Sequence, residues 1–429
     1  MKKPLAILFA CLFVVMIGFG ITLPVLVFYI ERLALAEGVT SQEASVHVGL
    51  LTGVFALMQF FFAPLWGKLS DRVGRRTLML VGLGGNAISQ ILFSVAKDLM
   101  VLYIARVLGG IFSAAVLPVA SAYVADVTTE RERGRGMAWL GSAIGLGIVV
   151  GPALGALMSG LDWHLTFSFG HFSIDGFSTP FFAASLLVIL TVFAALRWLP
   201  ETRGSSAAAF SDHQVLEDVA LKPSNRWLHI REQFGKLLGL SFLGQFALAL
   251  FEGTFALHAQ HVMGFGPAEM GIVFMMCGLV MAIAQISVVG WLIERVGEKP
   301  LLPFGLGLMG VGLALLMTTQ VMALILPYVA LFALGMALLS PSLASLVTKR
   351  AGERFGAASG VLNATNSLGQ ASGPFLGSLV FTWNVHAPYL LTAVPLIGTA
   401  IFIGGITWNG SQLLLASGSG GQTWPGYWR

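Results

Sequence analysis

Apolar residues dominate this chain in long unbroken stretches, and polar residues gather in the short segments between them. A helix needs about 20 apolar residues to cross a hydrocarbon core about 30 Å thick. Twelve stretches meet this requirement, so the pattern predicts an all-α integral membrane protein with twelve transmembrane helices. The predicted helices cover residues 5–30, 46–66, 77–96, 99–124, 137–160, 180–198, 237–260, 268–293, 301–319, 321–346, 355–381 and 389–408.

The composition excludes other classes of protein. Of the 429 residues, 56% are hydrophobic and only 10% are charged, and the mean hydropathy is +0.84. Soluble domains carry about 25% charged residues, and disordered chains are far less apolar. Cys11 and Cys277 both lie inside apolar stretches, so we predict neither a disulfide framework nor a metal site. No basic patch is interleaved with aromatic residues, so nucleic acid is not an expected partner.

The positive charges indicate the topology. The first apolar stretch is too long for a signal peptide and eleven more follow it, so it is interpreted as a retained helix. With the N-terminus in the cytoplasm, the outer loops hold only Arg32 and Lys97, and Arg106 lies within a span. The inner segments then carry the other 21 of the 24 basic residues. This distribution predicts a multi-pass protein of the cell membrane with both termini in the cytoplasm.

The longest connection, 199–236, is rich in charged and small residues and separates six predicted helices from six. We therefore predict an N-terminal bundle (1–198), a cytoplasmic linker (199–236), a C-terminal bundle (237–408) and a cytoplasmic tail (409–429) without an assigned role. The outer loop 161–179 contains Asp162, His164, His171 and Asp175. Their spacing matches no metal-ligand pattern, so a solvated loop is expected there.

The two halves resemble each other at a fixed offset. Gly67, Asp71 and Gly74 recur as Gly290, Glu294 and Gly297, each 223 positions later, and Pro118 recurs as Pro341 at the same offset. Gly151-Pro152 and Gly155 recur as Gly373-Pro374 and Gly377 at an offset of 222. These landmarks predict a duplicated six-helix unit. Transporters are commonly built from such repeats, with the substrate site near the membrane midplane between them.

Several motifs resemble those of the major facilitator superfamily, in particular its twelve-helix drug:proton antiporter branch. The motifs are Gly67–Arg76 between spans two and three, Arg106 with Gly109 and Gly110 in span four, Gly147-x-x-x-Gly151-Pro152-x-x-Gly155 in span five, Leu199-Pro200-Glu201-Thr202 after span six, and Leu23-Pro24-Val25-Leu26 in span one. Val27 stands where that branch often has a second proline. The resemblance implies two pseudo-symmetric six-helix bundles.

The Gly67–Arg76 loop has an expected conformational role. Gly67 lets helices approach closely and Gly74 permits a tight turn, while Asp71 is expected at the N-terminal end of span three, where the helix dipole favours a negative charge. The resemblance implies that this loop braces the cytoplasmic side through a charge relay from Asp71 and Arg75 to Asp126. Arg72 also anchors the topology.

The glycines of span five follow the small-xxx-small spacing that lets helix backbones pack closely in lipid, and Pro152 bends or loosens the helix. The resemblance implies that Gly147, Gly151, Pro152 and Gly155 form a tight interface that controls leak and helix bending. Static packing is the alternative, and the sequence does not separate the two.

Two charged residues inside spans are candidate cavity residues. Arg106 lies about 10 Å deep in span four, and Glu252, the only acid well inside a span, lies about 12 Å deep in span seven. A charge at that depth is costly and therefore rarely incidental. In the superfamily, spans one, four, seven and ten line the central cavity, so the two side chains are placed to face each other there. We predict that Glu252 carries the proton.

Other polar residues are weaker candidates. Gln245 lies two turns before Glu252 on the same helix face and is a predicted cavity contact. Tyr29, Gln59 and Asn363 are less strongly indicated. His258 and His261 are expected to cap or to lie at an interface rather than to relay protons.

The leading hypothesis is a secondary transporter that exports a small amphipathic organic molecule in exchange for protons by alternating access. The alternative is proton-coupled uptake or facilitated transport of a metabolite. Span one lacks an acid, which argues against dicationic drugs. A membrane enzyme is disfavoured because no catalytic motif is recognisable, and no ATP-binding loop is present. The expected partners are the substrate, protons and the lipid bilayer. No cofactor is expected, and the chain is expected to function as a monomer.

Overall fold

Each of the twelve predicted stretches forms a helix. The computed structural model describes residues 3–159, 165–167, 172–174, 176–202, 226–351 and 355–416. The long helices in this part of the chain are α1 (Lys3–Ala36), α2 (Ser41–Val73), α3 (Arg75–Val95), α4 (Leu99–Val127), α5 (Glu130–Ser159), α6 (Thr179–Trp198), α7 (Arg226–His258), α8 (Pro267–Val296), α9 (Glu298–Leu316), α10 (Met322–Ala351), α11 (Phe355–Phe381) and α12 (Ala387–Ala416). Eleven of them, all but α11, are long and apolar enough to cross a membrane.

Two of the helices contain a π-helical turn. A turn at Ala259–Met263 extends α7, and a turn at Gln285–Val289 interrupts α8 between the α-helical segments Pro267–Ala284 and Gly290–Val296. Helix α7 begins inside the predicted linker and α12 continues past Trp408 into the predicted tail, so both apolar stretches extend into more polar helix. Most of the linker and the end of the tail lie outside the described residues.

A short β-hairpin lies between α5 and α6, where a solvated loop was expected. Strands β1 (Leu165–Phe167) and β2 (Phe172–Ile174) pair antiparallel, with Leu165 opposite Ile174 and Phe167 opposite Phe172. Apolar residues alternate with Thr166 and Ser173, which is the two-residue period of a strand. The positions Asp162, His164, His171 and Asp175 lie outside the described residues.

Equivalent glycines end α2 and α8. Gly74 has φ 110° and Gly297 has φ 83°, and each separates the end of one helix from the start of the next. Positive φ values favour glycine because it has no Cβ. Both turns fall at positions related by the 223-residue offset, so the two halves share this local geometry.

Contacts divide the chain into two compact units. The first comprises Met1–Phe210, Leu248–Leu279 and Gln370–Pro388, and the second comprises Ser211–Ala247, Val280–Gly369 and Tyr389–Arg429. In the first unit, α1 and α3–α6 enclose an apolar core that includes Leu12, Leu83 and Tyr123. In the second, α9 packs against α10, where Gly305 and Gly335 leave room for backbone contact. The bundle boundaries at 198 and 237 stay predictions.

Candidate functional site

A network of charged side chains joins α2, α3 and α4. The Arg75 guanidinium forms ion pairs with Asp71 (Nη2 to Oδ1, 2.6 Å) and Asp126 (Nε to Oδ2, 3.1 Å), and it also donates a hydrogen bond to Ser70 Oγ. The side chains of Arg75 and Asp126 are only 9% and 8% exposed. The structure therefore brings together the three residues of the predicted relay, and Arg75 is its centre.

The expected position of Asp71 is wrong. Helix α2 continues to Val73, so Asp71 lies in its last turn, and Glu201 occupies the N-terminus of α3 instead. The Glu201 carboxylate accepts hydrogen bonds from the backbone N–H groups of Arg76 (3.0 Å) and Thr77 (3.2 Å) and from the Thr77 hydroxyl (3.0 Å). Glu201 thus supplies the negative charge that a helix N-terminus favours, through a loop distant in sequence.

Gly67 and Gly74 of the loop have different surroundings. A Cβ on Gly74 would lie 2.6 Å from the Glu201 carboxylate, so glycine there allows both the turn and the cap. At Gly67, a Cβ would meet no described atom within 4 Å, so the expected close helix approach is not present at that position. Arg72 is exposed.

Helix α5 presents three glycines to α1. A Cβ on Gly147 would lie 2.3 Å from the Met16 Cβ, and one on Gly151 would lie 2.7 Å from the Gly20 Cα. A Cβ on Gly155 would lie 2.9 Å from the Ile21 carbonyl oxygen. The two backbones are therefore in contact over two helical turns, as the small-xxx-small spacing indicates.

The neighbouring face of α5 packs against α8. A Cβ on Gly271 would lie 2.0 Å from the Ala156 Cβ and 2.9 Å from the Pro152 carbonyl oxygen. On the same side of the first unit, a Cβ on Gly49 of α2 would collide with Ser378 of α11. We call these α5–α8 and α2–α11 contacts the outer seam, because α1 ends and α2 begins on this side, which is outer in the predicted topology.

The same outer side also carries an acid that the sequence reasoning missed. Glu31 of α1 is 7% exposed, and its Oε1 lies 3.6 Å from Nε2 of His261 in the π-helical turn after α7. The other ring nitrogen of His261 donates to the Leu257 carbonyl oxygen (2.9 Å). The predicted span ended at residue 30, one residue before this carboxyl group.

The other predicted outer histidine has a structural contact. His258 is 1% exposed, its Nδ1 lies 3.1 Å from the Val385 carbonyl oxygen, and its ring contacts that of His386. It thus ties α7 to the segment between α11 and α12, an interfacial position of the kind expected.

Arg106 lies in a cleft between α1, α2, α3 and α4. It is 4% exposed, and its guanidinium carbon lies 4.8 Å from the centre of the Phe55 ring and 5.8 Å from that of Phe93. Its buried Nε has no hydrogen-bond partner among the described residues. The cavity within the cleft is small, about 30 Å³.

Polar residues of α3 complete this cleft, and the sequence reasoning did not select them. Asn86 and Gln90 lie one turn apart on one face, and their side-chain oxygens are buried without a partner among the described residues. The sequence feature that could have identified them is a pair of polar residues one helical turn apart in an otherwise apolar helix. Gln59, a weaker candidate, also lines the cleft and donates to Ser113 Oγ (3.1 Å).

Two other weaker candidates lie elsewhere. The Tyr29 hydroxyl donates to the carbonyl oxygens at the end of α3, with the shorter bond, 2.7 Å, to Ala96. Asn363 is exposed. Neither side chain lines the cleft.

Glu252 lies in α7 beside the contact of that helix with α11. It is partly buried, and the adjacent Gly253 faces Pro374 so closely that a Cβ would lie 2.6 Å from the Pro374 Cβ. No hydrogen bond or ion pair joins the Glu252 carboxylate to another described residue, although Cys277 of α8 lies within electrostatic range.

The structure does not pair Arg106 with Glu252. The described neighbours of Arg106 belong to α1–α4, whereas the described neighbour of Glu252 is Cys277 of α8. Gln245 packs its Cβ against α11, where a Cβ on Gly369 would lie 3.2 Å from it. Arg106 therefore has different neighbours from Glu252 and Gln245, which both lie beside the contact of α7 with α11.

Comparison with known proteins identifies the family. The family profile described as Major Facilitator Superfamily matches residues 8–374 and 237–411. The chain is 28% identical over 397 residues to multidrug resistance protein 2 of Bacillus subtilis, covering 92% of this chain and 93% of that protein. It is 30% identical over 390 residues to the class G tetracycline resistance protein of Vibrio anguillarum, covering 89% and 93%.

The fold is also similar to that of a solved structure. A crystal structure of a D-xylose–proton symporter superposes with a TM-score of 0.72 at 15% identity, covering 93% of this chain and 96% of that one, which is evidence for the fold alone. Together with the twelve helices and the motifs in them, these matches confirm the family that the sequence suggested. This multi-pass membrane protein belongs to the major facilitator superfamily, whose members transport small molecules.

Proposed function

We propose that this protein exports a small amphipathic organic molecule in exchange for protons, by alternating access. Relatives named for resistance to multiple drugs, tetracycline and quinolones match it over about nine-tenths of its length or more, which supports export. The antiporter-like glycines of α5 support exchange. The binding site then lies near the midplane between the two halves, and a single chain contains both.

The observation that carries the proton coupling is the isolated carboxyl group of Glu252. It lies within a membrane-spanning helix and forms no hydrogen bond or ion pair with the described residues. A charged carboxylate in such a position is costly, so binding a proton stabilises it. Loss of the proton becomes favourable only when water reaches the carboxyl group. These properties suit a residue that alternately takes up and releases a proton.

Two other features fit the conformational cycle. The Arg75 network fixes the ends of α2, α3 and α4 to one another on the predicted cytoplasmic side. The α1–α5 backbone contact lets two helices of the N-terminal half move together. We assign bracing to the first and leak control to the second, in line with the roles that the resemblance implies.

The test is proton flux in proteoliposomes that contain the full-length protein and hold an imposed pH gradient. Tetracycline, quinolones, cationic dyes and common metabolites are screened for dissipation of the gradient. We expect at least one compound to move opposite to protons, and Glu252→Gln to bind it while losing most of the coupled flux. Glu269→Gln is the control, because Glu269 lies at the outer end of α8 and glutamine keeps the oxygen that accepts the Gly266 N–H.

Two results would overturn the proposal. Full gradient-driven exchange by Glu252→Gln would remove Glu252 from the coupling. Movement of substrate and protons in the same direction, or flux independent of the gradient, would replace export by proton-coupled uptake or by facilitated transport of a metabolite.

A further inference from the structure

Helix α11 has a polar face and, on the opposite side, an exposed apolar face. Asn363, Asn366 and Ser367 lie within about 100° of one another around the helix. Asn363 is exposed, and the other two are partly buried. The exposed side chains Leu368 and Leu379 lie on the opposite side of α11. Lipid can cover the apolar face, but polar groups in hydrocarbon are unfavourable, so the polar face meets water.

The polar face lies at membrane depth. Helix α11 begins at Phe355, so Asn363 and Ser367 are about 12 and 18 Å from its inner end in the predicted topology. Among the twelve long helices of the described residues, α11 alone is not apolar enough to count as a membrane span. Its polar face therefore accounts for this exception and reaches toward the middle of the membrane.

Helix α7 adds two polar residues beside this face. The Ser241 hydroxyl donates to the Asn366 side-chain oxygen (2.5 Å). Gln245 lies one turn after Ser241, and a Cβ on Gly369, one turn after Asn366, would lie 3.2 Å from the Gln245 Cβ. The two contacts are thus one helical turn apart along both helices. We call Ser241, Gln245, Asn363, Asn366 and Ser367 the polar cluster.

Two amides of the polar cluster have unused hydrogen-bonding groups. The side chains of Asn363 and Gln245 form no hydrogen bond with any residue that the structure describes. Each amide offers two N–H donors and a carbonyl acceptor. Water satisfies these groups in the free protein, and a ligand that supplies matching donors and acceptors can replace that water.

The internal repeat shows that the fold does not need polar side chains at these positions. Asn363 and Ser367 lie 222 positions after Gly141 and Gly145 of α5, the offset that relates the Gly-Pro motifs of the two halves. A Cβ on either glycine would meet no described atom within 4 Å. The first half thus has no side chain where the second half has an amide and a hydroxyl, so a role in recognition explains them better than a role in packing.

The polar cluster is uncharged, which limits the ligand groups that it suits. Helix α11 contains no acidic or basic residue, and α7 contains none between Lys236 and Glu252. A charged group would gain no ion pair here and would lose its hydration. Hydroxyl and amide groups can both donate to and accept from the amides of the cluster.

We propose that the polar cluster binds uncharged hydroxyl and amide groups of the transported molecule, with Asn363 as a specificity-determining residue. The transport part of this statement rests on the proposed function. The binding part rests on the chemistry of α7 and α11 alone and involves no proton.

Binding is measured by titration calorimetry on the full-length protein in detergent, without a pH gradient. The probes are chloramphenicol, an uncharged molecule with hydroxyl and amide groups, and tetraphenylphosphonium, an apolar cation without such groups. We expect wild type to bind chloramphenicol. Asn363→Leu keeps the size of the side chain and should weaken this binding about tenfold, the effect of losing about one hydrogen bond. The same variant should behave like wild type toward tetraphenylphosphonium.

Two further variants control for changes other than loss of the amide. Asn363→Gln keeps the amide and should keep part of the affinity for chloramphenicol. Leu368→Ala changes the opposite face of α11 and should leave the affinity unchanged. A wild type that does not bind chloramphenicol, an unchanged affinity in Asn363→Leu, or equal losses in Asn363→Leu and Leu368→Ala would each overturn the proposal.

Thiol labelling tests the proposal independently of Asn363→Leu, in case that variant misfolds. Asn363→Cys and Leu368→Cys are compared in inside-out vesicles, with the buried Cys11 and Cys277 replaced by alanine. An impermeant thiol reagent should label Asn363→Cys, and chloramphenicol should slow the reaction. Leu368→Cys should stay unlabelled because lipid covers it, although Leu368 is 46% exposed in the protein alone. Equal labelling of both positions, or no protection by chloramphenicol, would contradict the proposal.

Neither experiment involves a proton gradient, so the results are independent of the coupling test. Binding of chloramphenicol through Asn363 in a protein whose flux ignores the gradient would support the polar cluster and refute the antiport. Coupled flux together with binding that does not depend on Asn363 would do the reverse.

Discussion

Glu298 and Lys349 form an ion pair between the start of α9 and the end of α10. Arg75 and Asp126 form the matching pair between the start of α3 and the end of α4. Glu298 lies 223 positions after Arg75, and Lys349 lies 223 positions after Asp126, the same offset that relates the other landmarks of the repeat. The two halves therefore keep the same link between equivalent helices, with the charges exchanged.

This exchange of charges leads to a prediction for the first half. Asp126→Lys alone leaves Arg75 beside a like charge in a nearly buried position, and losing one partner of a buried pair typically costs about 3–5 kcal/mol. We expect a lower melting temperature and a large loss of flux. Arg75→Glu combined with Asp126→Lys copies the arrangement of the second half. The double variant should recover much of the melting temperature and of the flux. Thermal unfolding in detergent and flux in proteoliposomes measure this.

The acidic neighbour Asp71 should not prevent the double variant from recovering stability and flux. Asp71 is 41% exposed at its side chain, and the second half has the equivalent residue Glu294 one turn before Glu298. If the double variant were no more stable or active than either single variant, the exchangeability of the two links would be refuted.

The contact between α1 and α5 gives a second prediction. Gly151→Ala places a methyl group 2.7 Å from the Gly20 Cα and the Ile17 carbonyl oxygen, so the two backbones must separate. Overpacking of this kind costs about 1–3 kcal/mol. We expect a lower melting temperature and reduced flux.

Gly145→Ala is the matched control for Gly151→Ala. A Cβ at Gly145, on the same helix, meets no described atom within 4 Å. Alanine is also the better helix former, so this variant should be neutral or slightly stabilised. Equal effects of the two substitutions would show that separation of the α1 and α5 backbones is not the cause of the lower melting temperature and flux.

The Glu31–His261 contact gives a third prediction. The Glu31 carboxylate lies 3.6 Å from His261 Nε2, and this contact joins α1 to the turn after α7. Glu31→Ala removes the contact, so an impermeant thiol reagent should label Ser378→Cys, a buried position beside Gly49 in the outer seam, faster in the Glu31→Ala background.

His386→Gln keeps Glu31 and His261 and is the control, which should label as slowly as Ser378→Cys alone. The native Cys11 and Cys277 are buried and are replaced by alanine to remove background. Equal labelling rates with and without the Glu31 carboxylate would contradict the prediction.

Apolar length and motif spacing were sufficient to predict the twelve helices and the family. They were not sufficient to predict which helix faces meet. A helix that is apolar on all sides has no amphipathic pattern to show which face packs against a neighbour. The grouping of Asn86 and Gln90 with Arg106 could therefore not be predicted. The capping of α3 by Glu201 was missed because it joins residues about 125 positions apart, and Gly67 was expected at a contact that the described residues do not make.

The glycines of α5 also affect how the protein can diversify. Along this stripe no side chain exists to be exchanged for another, and any larger residue must first push two helices apart. New recognition properties must therefore arise on other surfaces, such as the polar positions of α3 and α4 that line the cleft. The α1–α5 contact can therefore stay unchanged while the residues that line the cleft vary.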